Sequence, residues 1–69
     1  MFQKYLNKEL YNRDWSQREL AGKVGVHESL VSRWMKGERV PTLPNIIKLA
    51  ILFETSVDVI LEKMGKMDV

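Results

Sequence analysis

Polar side chains share one face of a short helical pattern near the middle of the chain. Stepping about 100° per residue places four of them together: Ser29, Ser32, Arg33 and Lys36. Hydroxyl and guanidinium groups can hydrogen-bond to the base edges of DNA, although most charged helix faces are simply solvated. Periodicity alone favours the interpretation that this face is simply exposed to solvent and binds nothing.

Other kinds of chemistry find little support in the sequence. The single histidine, His27, has no plausible catalytic partner, and there is no cysteine. No pair of carboxylates, metal-ligand spacing or glycine-rich phosphate loop is present. The sequence therefore predicts no catalytic site, no metal site and no cofactor.

The elements around the polar face change its interpretation. Residues 16–37 read SQRELAGKVGVHESLVSRWMKG, in which Ser16 and Glu19 have the spacing of a capping box that begins a helix. Gly25 ends this helix, and a second helix is predicted from about Glu28 to Lys36, with His27 as a poor N-cap and Gly37 as its stop. So short a connection predicts two helices crossing at a steep angle. A helix held outward in this way fits a major groove.

Residues 16–37 resemble the helix-turn-helix of the Cro and phage-repressor family, also called Xre-like regulators. The resemblance continues through PTLPNIIKLAILFETSVDVIL, residues 41–61, which fits the family's fourth and fifth helices without a gap. A weaker match precedes Ser16. The family commonly pairs an arginine on the first helix with a glutamate near the end of the third. Here those places hold Leu10 or Tyr11 and Met35, so an apolar contact is expected instead.

The resemblance implies an all-α, five-helix, lambda-repressor-like DNA-binding domain over residues 1–69. The first helix is predicted over 2–13, where Phe2, Leu6 and Leu10 recur every four residues. The fourth and fifth helices are predicted over about 43–64, with Thr42 and Ser56 as N-caps. The fourth is apolar almost all round, which suits a central position or one shared with another chain. Trp15 is expected to pack onto Leu20 or nearby apolar groups, and residues 65–69 form a tail.

Length, charge and hydropathy narrow the class of protein. The 69 residues are near the lower limit for a core without disulfides or metal, which favours a compact helical bundle or a dimer. The net charge of +2 is weak evidence for a nucleic acid partner, but residues 13–39 carry six basic and four acidic side chains, so the motif is the positive part. No apolar run suggests a membrane span or a signal sequence, so a cytoplasmic location is expected.

The expected DNA contacts fall into two groups. Base edges are assigned to four residues of the third helix: Glu28, Ser29, Ser32 and Arg33. A guanidinium can bond guanine O6 and N7 together, although for Arg33 a phosphate contact or a surface ion pair near Glu28 is equally open. Phosphate contacts are assigned to six residues at helix ends and in the following loop: Gln17, His27, Lys36, Arg39, Thr42 and Asn45. The role of Gln17 rests on the family, whose residue after the cap typically touches the DNA backbone.

Two apolar residues project away from the predicted core stripes. Ile51 and Val59 stand where the family often has polar residues, which favours a homodimer interface over ordinary packing between the fourth and fifth helices. Two copies on a palindromic site would double the contacts to double-stranded DNA.

The predicted function is therefore a sequence-specific transcriptional regulator, usually a repressor. Two alternatives stay open. One is an antitoxin-type autorepressor that holds a toxin on another face. The other is a protein-interaction module that has lost DNA binding, which Arg33 and Lys36 oppose.

Overall fold

Five α-helices follow one another in the computed structural model, which describes residues 1–65 and has no strand in that range. They are α1 (Phe2–Arg13), α2 (Gln17–Val24), α3 (Glu28–Lys36), α4 (Leu43–Leu52) and α5 (Val57–Lys63). The all-α, five-helix prediction is confirmed. Of the expected tail, Gly65 is described and the remainder lies outside the described residues.

All five helices contribute to one hydrophobic core. Its fully buried large side chains come from each helix in turn: Leu6, Leu20, Val31, Trp34, Leu49 and Ile60. On α1 the predicted stripe of Phe2, Leu6 and Leu10 is buried. On α5, Ile60 is buried while Val57, Leu61 and Met64 pack against the core, as the periodicity predicts.

The start of α2 and the turn into α3 follow from local sequence. The Ser16 hydroxyl accepts from the Glu19 amide at 3.0 Å, and the Glu19 carboxylate accepts from the Ser16 amide at 2.9 Å. The predicted capping box is therefore present. Gly25 ends α2 with a φ of 85°, a left-handed conformation that disfavours residues with a Cβ. The chain then reverses within three residues, so α3 packs across α2.

Gly37→Ala and Gly25→Ala are each expected to lower the free energy of unfolding by about 1–2 kcal/mol, because left-handed backbone disfavours alanine by that amount. The φ of Gly37 is 76°, and an added Cβ would lie 2.5 Å from the Gln3 Nε2 atom. Gln3 is exposed, so its side chain can swing away. Urea denaturation would measure both variants. A much larger loss for Gly37→Ala, removed by adding Gln3→Ala, would show instead that Gln3 is locked against the end of α3.

The first helix faces the motif through apolar residues. Leu10 is buried, whereas Tyr11 is 86% exposed, so Leu10 is the inward residue at the place of the family arginine. Met35 is partly buried and packs against the same core cluster. Both residues thus belong to the apolar core, where they require no desolvation of charge, and a direct contact between them stays a prediction.

A cluster of aromatic and cationic side chains joins α1 to the end of α4. Trp15 stacks on Phe53 with ring centroids 6.3 Å apart, and Tyr5 meets the same ring edge-on at 6.1 Å. Trp15 was expected to pack onto Leu20 or nearby apolar groups, and it packs against the core cluster that includes Leu20. Its stacking on Phe53 was not predicted, because Phe53 is distant in sequence. Burial, with a smaller contribution from Glu9, raises the pKa of Tyr5, while Arg13 opposes the rise. Tyr5 therefore presents a neutral ring to this cluster at neutral pH.

Arg13 holds this cluster together. Its Nη2 donates to the Phe53 carbonyl oxygen at 3.0 Å, and its Nε donates to the Glu9 carboxylate at 3.0 Å. Its guanidinium carbon lies 5.4 Å from the Trp15 ring centroid and 5.2 Å from that of Phe53. Because Phe53 is the C-cap of α4, Arg13 bonds a carbonyl that the end of the helix leaves free.

Candidate nucleic-acid interface

The outward face of α3 presents most of the residues predicted to read bases. Glu28, Ser29 and Arg33 are exposed, while Ser32 is half-buried and offers less of its hydroxyl than the helical pattern suggests. Lys36 is exposed on the same face. Leu30 is partly buried against the core, which agrees with a packing role for this side chain.

The opposite face of α3 anchors the helix. Val31 and Trp34 are completely buried. The indole N–H of Trp34 has no hydrogen-bond partner within residues 1–65, so packing alone holds this side chain. A helix anchored in this way presents its outer side chains in a constant orientation, which suits them to bind a ligand.

The outer side chains of α3 are free of internal partners. Within the described part of the chain, the hydrogen bonds and ion pairs of side chains include none from Glu28, Arg33 or Lys36. The surface ion pair considered for Arg33 is therefore absent from residues 1–65. Its five N–H donors remain available to an acceptor outside the chain.

The starts of two helices offer free backbone amides. In α2 the Ser16 hydroxyl occupies the Glu19 amide, which leaves the amides of Gln17 and Arg18 without helical partners. Gln17 itself is half-buried. Such amides, at the positive end of the helix dipole, favour a phosphate oxygen.

The start of α4 has the predicted N-cap residue but leaves its amides free. Thr42 occupies the N-cap position, as predicted, and its side chain makes no capping hydrogen bond. Pro44 lies in the first turn and carries no N–H, which leaves the amides of Leu43 and Asn45 to face solvent or a ligand. Asn45 is half-buried, while Thr42 and Arg39 are exposed.

The structure adds one residue that the sequence analysis did not assign. Arg18 lines an open groove over the turn together with His27 and Glu28. His27 is exposed and makes no side-chain cap, as its poor capping ability predicts. Arg18 therefore places a positive charge beside the start of α3. Its position on the first turn of α2, next to Gln17, was the signal available in the sequence.

These features together form a basic surface built around one exposed helix. Arginine and serine side chains face outward from α3, and the starts of α2 and α4 carry free amides. The arrangement can bond base edges in a groove and phosphate oxygens beside it. A family model described as "Helix-turn-helix" matches residues 5–60. The chain belongs to this Cro/C1-type helix-turn-helix family.

Members of this helix-turn-helix family are DNA-binding transcription regulators. Because the chain carries the family's domain, it is a DNA-binding transcription regulator as well. The match includes most of α1, all of α2 to α4 and the first part of α5. Among curated proteins, none matches the chain. None of the helices in residues 1–65 is long and apolar enough to cross a membrane.

Proposed function

We propose that this helix-turn-helix protein is a sequence-specific repressor that binds a palindromic operator as a homodimer. The observation that carries the proposal is the outward face of α3, whose exposed Ser29, Arg33 and Lys36 have no partner among the described residues. A polar helix face with unused donors, anchored by a buried tryptophan, suits direct reading of a major groove.

The proposed mechanism is occupancy of the operator. Arg33 bonds a guanine through its two parallel donors, while Ser29 and Ser32 bond neighbouring base edges. Glu28 accepts a hydrogen bond from cytosine N4, which also keeps its charge away from phosphates. A bound dimer then excludes the polymerase from the same DNA.

The phosphate contacts fix the position of α3 in the groove. The free amides at the start of α2, with Gln17, hold one backbone segment, and His27 adds a contact beside them. Around the loop and the start of α4, four residues hold a second segment: Lys36, Arg39, Thr42 and Asn45. These contacts carry no sequence information, but they supply the salt-dependent part of the affinity.

Selection from a pool of random duplexes would test this function. The bound fraction is sequenced, and the affinity of the enriched duplex is compared with that of the pool by fluorescence anisotropy at two salt concentrations. We expect an inverted repeat with half-sites about one helical turn, roughly 34 Å, apart. If no sequence is enriched and the residual binding disappears with modest salt, only nonspecific phosphate binding is present. The protein-interaction module would then become the leading hypothesis.

A further inference from the structure

A stripe of large aliphatic side chains on α4 is left uncovered. Leu43, Ile47 and Ile51 are 58%, 44% and 74% exposed, although the buried side of the same helix packs in the core. Their spacing of four residues places them along one face. Val40, in the loop before α4, is also exposed, at 50%. The helix that the sequence predicts to be apolar all round is therefore buried on one side only.

The α4 stripe is symmetric about its middle residue. Leu43 lies four residues before Ile47, and Ile51 lies four residues after it. If two copies of α4 pack antiparallel with Ile47 at the two-fold axis, Leu43 of each copy meets Ile51 of the other. The same patch then serves both sides of the contact, which is the requirement for a closed dimer.

Charges beyond the two ends of α4 suit this antiparallel arrangement. Arg39 precedes the helix and Glu54 follows it; both are exposed, and neither forms an ion pair with another described residue. Antiparallel packing brings Arg39 of one copy towards Glu54 of the other at each end. Lys48 lies about 100° round the helix from Ile47, so both copies of Lys48 stay outside the apolar contact.

We propose that a second copy of this chain covers the α4 stripe in an antiparallel pair centred on Ile47. Ile51, expected at a dimer interface, belongs to this pair, whereas Val59, also expected there, is partly buried on α5 and is not part of the α4 stripe. The symmetric spacing and the opposite charges at the ends favour a second copy over an unrelated partner. This antiparallel pair is the interface of the dimeric regulator proposed above. Its biological role therefore rests on that proposed function.

The size of the α4 stripe bears on the strength of the dimer. A stable interface buries about 800 Å² on each partner. Three partly exposed aliphatic side chains provide less, so the free dimer is weak. Two adjacent half-sites on DNA hold two copies close together and raise their effective concentration, which favours the pair on the operator.

Single cysteines provide a register-specific test, because the chain contains none of its own. Ile47→Cys places two thiols across the two-fold axis, within the Cα separation that a disulfide accepts. Leu43→Cys and Ile51→Cys face each other only in mixed pairs. Tyr11→Cys, at an exposed position on α1, is the matched control. Each variant is oxidised without DNA at high protein concentration, and disulfide dimers are quantified on non-reducing gels after circular dichroism confirms folding.

The expected result is that Ile47→Cys forms dimers at least about tenfold faster than Tyr11→Cys, since packing holds its thiols together. A mixture of Leu43→Cys and Ile51→Cys should form mixed dimers faster than either variant alone forms its own. Equal rates for Ile47→Cys and Tyr11→Cys would overturn the proposal and leave a different protein as the occupant of the stripe. Faster self-linking of Ile51→Cys than of Ile47→Cys would overturn the proposed register.

Charge reversal gives a second measurement that does not depend on cysteine chemistry. Arg39→Glu and Glu54→Arg should each weaken dimerisation in sedimentation equilibrium, and the double variant should restore it. Failure of the double variant to recover the dimer would contradict the antiparallel pairing. Because no DNA is present, these results are independent of the operator selection. A failed selection with successful cross-linking would reject the regulator function and leave the dimer standing.

Discussion

Arg33→Ala is expected to weaken binding to the selected operator by about 1–3 kcal/mol per half-site and to relax base preference at one position in each half-site. The reason is that Arg33 projects from the middle of α3 with all its donors unused within the described residues. Alanine leaves the bidentate acceptors of a guanine without a protein partner. Anisotropy titrations against operators varied at each position would measure both effects. Stability should change by less than about 0.5 kcal/mol, because Arg33 is exposed.

Lys36→Ala provides the contrasting variant. Lys36 is a proposed phosphate contact at the end of α3, outside the α4 pair, so its loss should weaken binding to all sequences alike and reduce the slope of log affinity against log salt by about one. If Arg33→Ala behaves in this uniform, salt-linked way, Arg33 contacts phosphate and the base-reading assignment is wrong. The Arg33 and Lys36 variants thus separate specificity from nonspecific attraction within one protein.

Local physics made much of the fold predictable from sequence. The capping box at Ser16 and the left-handed glycines at Gly25 and Gly37 depend on residues within one helical turn. The capping box and the two glycines therefore determined the predicted bounds of the helix-turn-helix motif. The four-residue recurrence on α1 likewise predicted its buried face, because helical geometry alone determines which side chains share a side.

Contacts between distant segments were the part that the sequence could not supply. Arg13 bonds the carbonyl of Phe53, which is 40 residues away, and no local pattern relates these two positions. Trp15 was expected to pack onto Leu20 or nearby apolar groups, and it packs against the core that includes Leu20, but its stacking on the Phe53 ring was not predicted. Propensity and periodicity describe one helix at a time, whereas such contacts depend on how separate helices pack.

The candidate nucleic-acid interface was only partly predictable from the sequence. Periodicity identified the outward residues of α3, yet it treated Ser32 as equivalent to Ser29, and packing leaves Ser32 half-buried. Arg18 went unassigned because its groove forms only when the turn brings α2 against the start of α3. On α4, hydropathy found the apolar residues, and periodicity singled out Ile51, which is 74% exposed. That Leu43 and Ile47 are uncovered as well became visible only with the packed fold.

Arg13→Ala is expected to lower the free energy of unfolding by about 2–3 kcal/mol and the melting temperature by roughly 10–20 °C. Arg13 contributes a charged hydrogen bond to the end of α4, worth about 1.5–3 kcal/mol, and cation–π contacts worth about 0.5–1 kcal/mol or more. Its pair with Glu9 adds only a few tenths, because both side chains are partly exposed and four residues apart on one helix. Thermal denaturation followed by circular dichroism would measure the loss.

The control variants assign the loss to the geometry of Arg13 rather than to its charge. Arg13→Lys keeps the positive charge, but one ammonium group cannot bond both the Phe53 carbonyl and Glu9 while stacking on two rings, so it should recover less than half of the stability. Arg18→Ala removes an exposed arginine with no internal partner in residues 1–65 and should cost at most about 0.5 kcal/mol. Equal losses for Arg13→Ala and Arg18→Ala would show that the bond to Phe53 contributes nothing. A loss confined to Arg13 would instead make this arginine the tie between α1 and the end of α4.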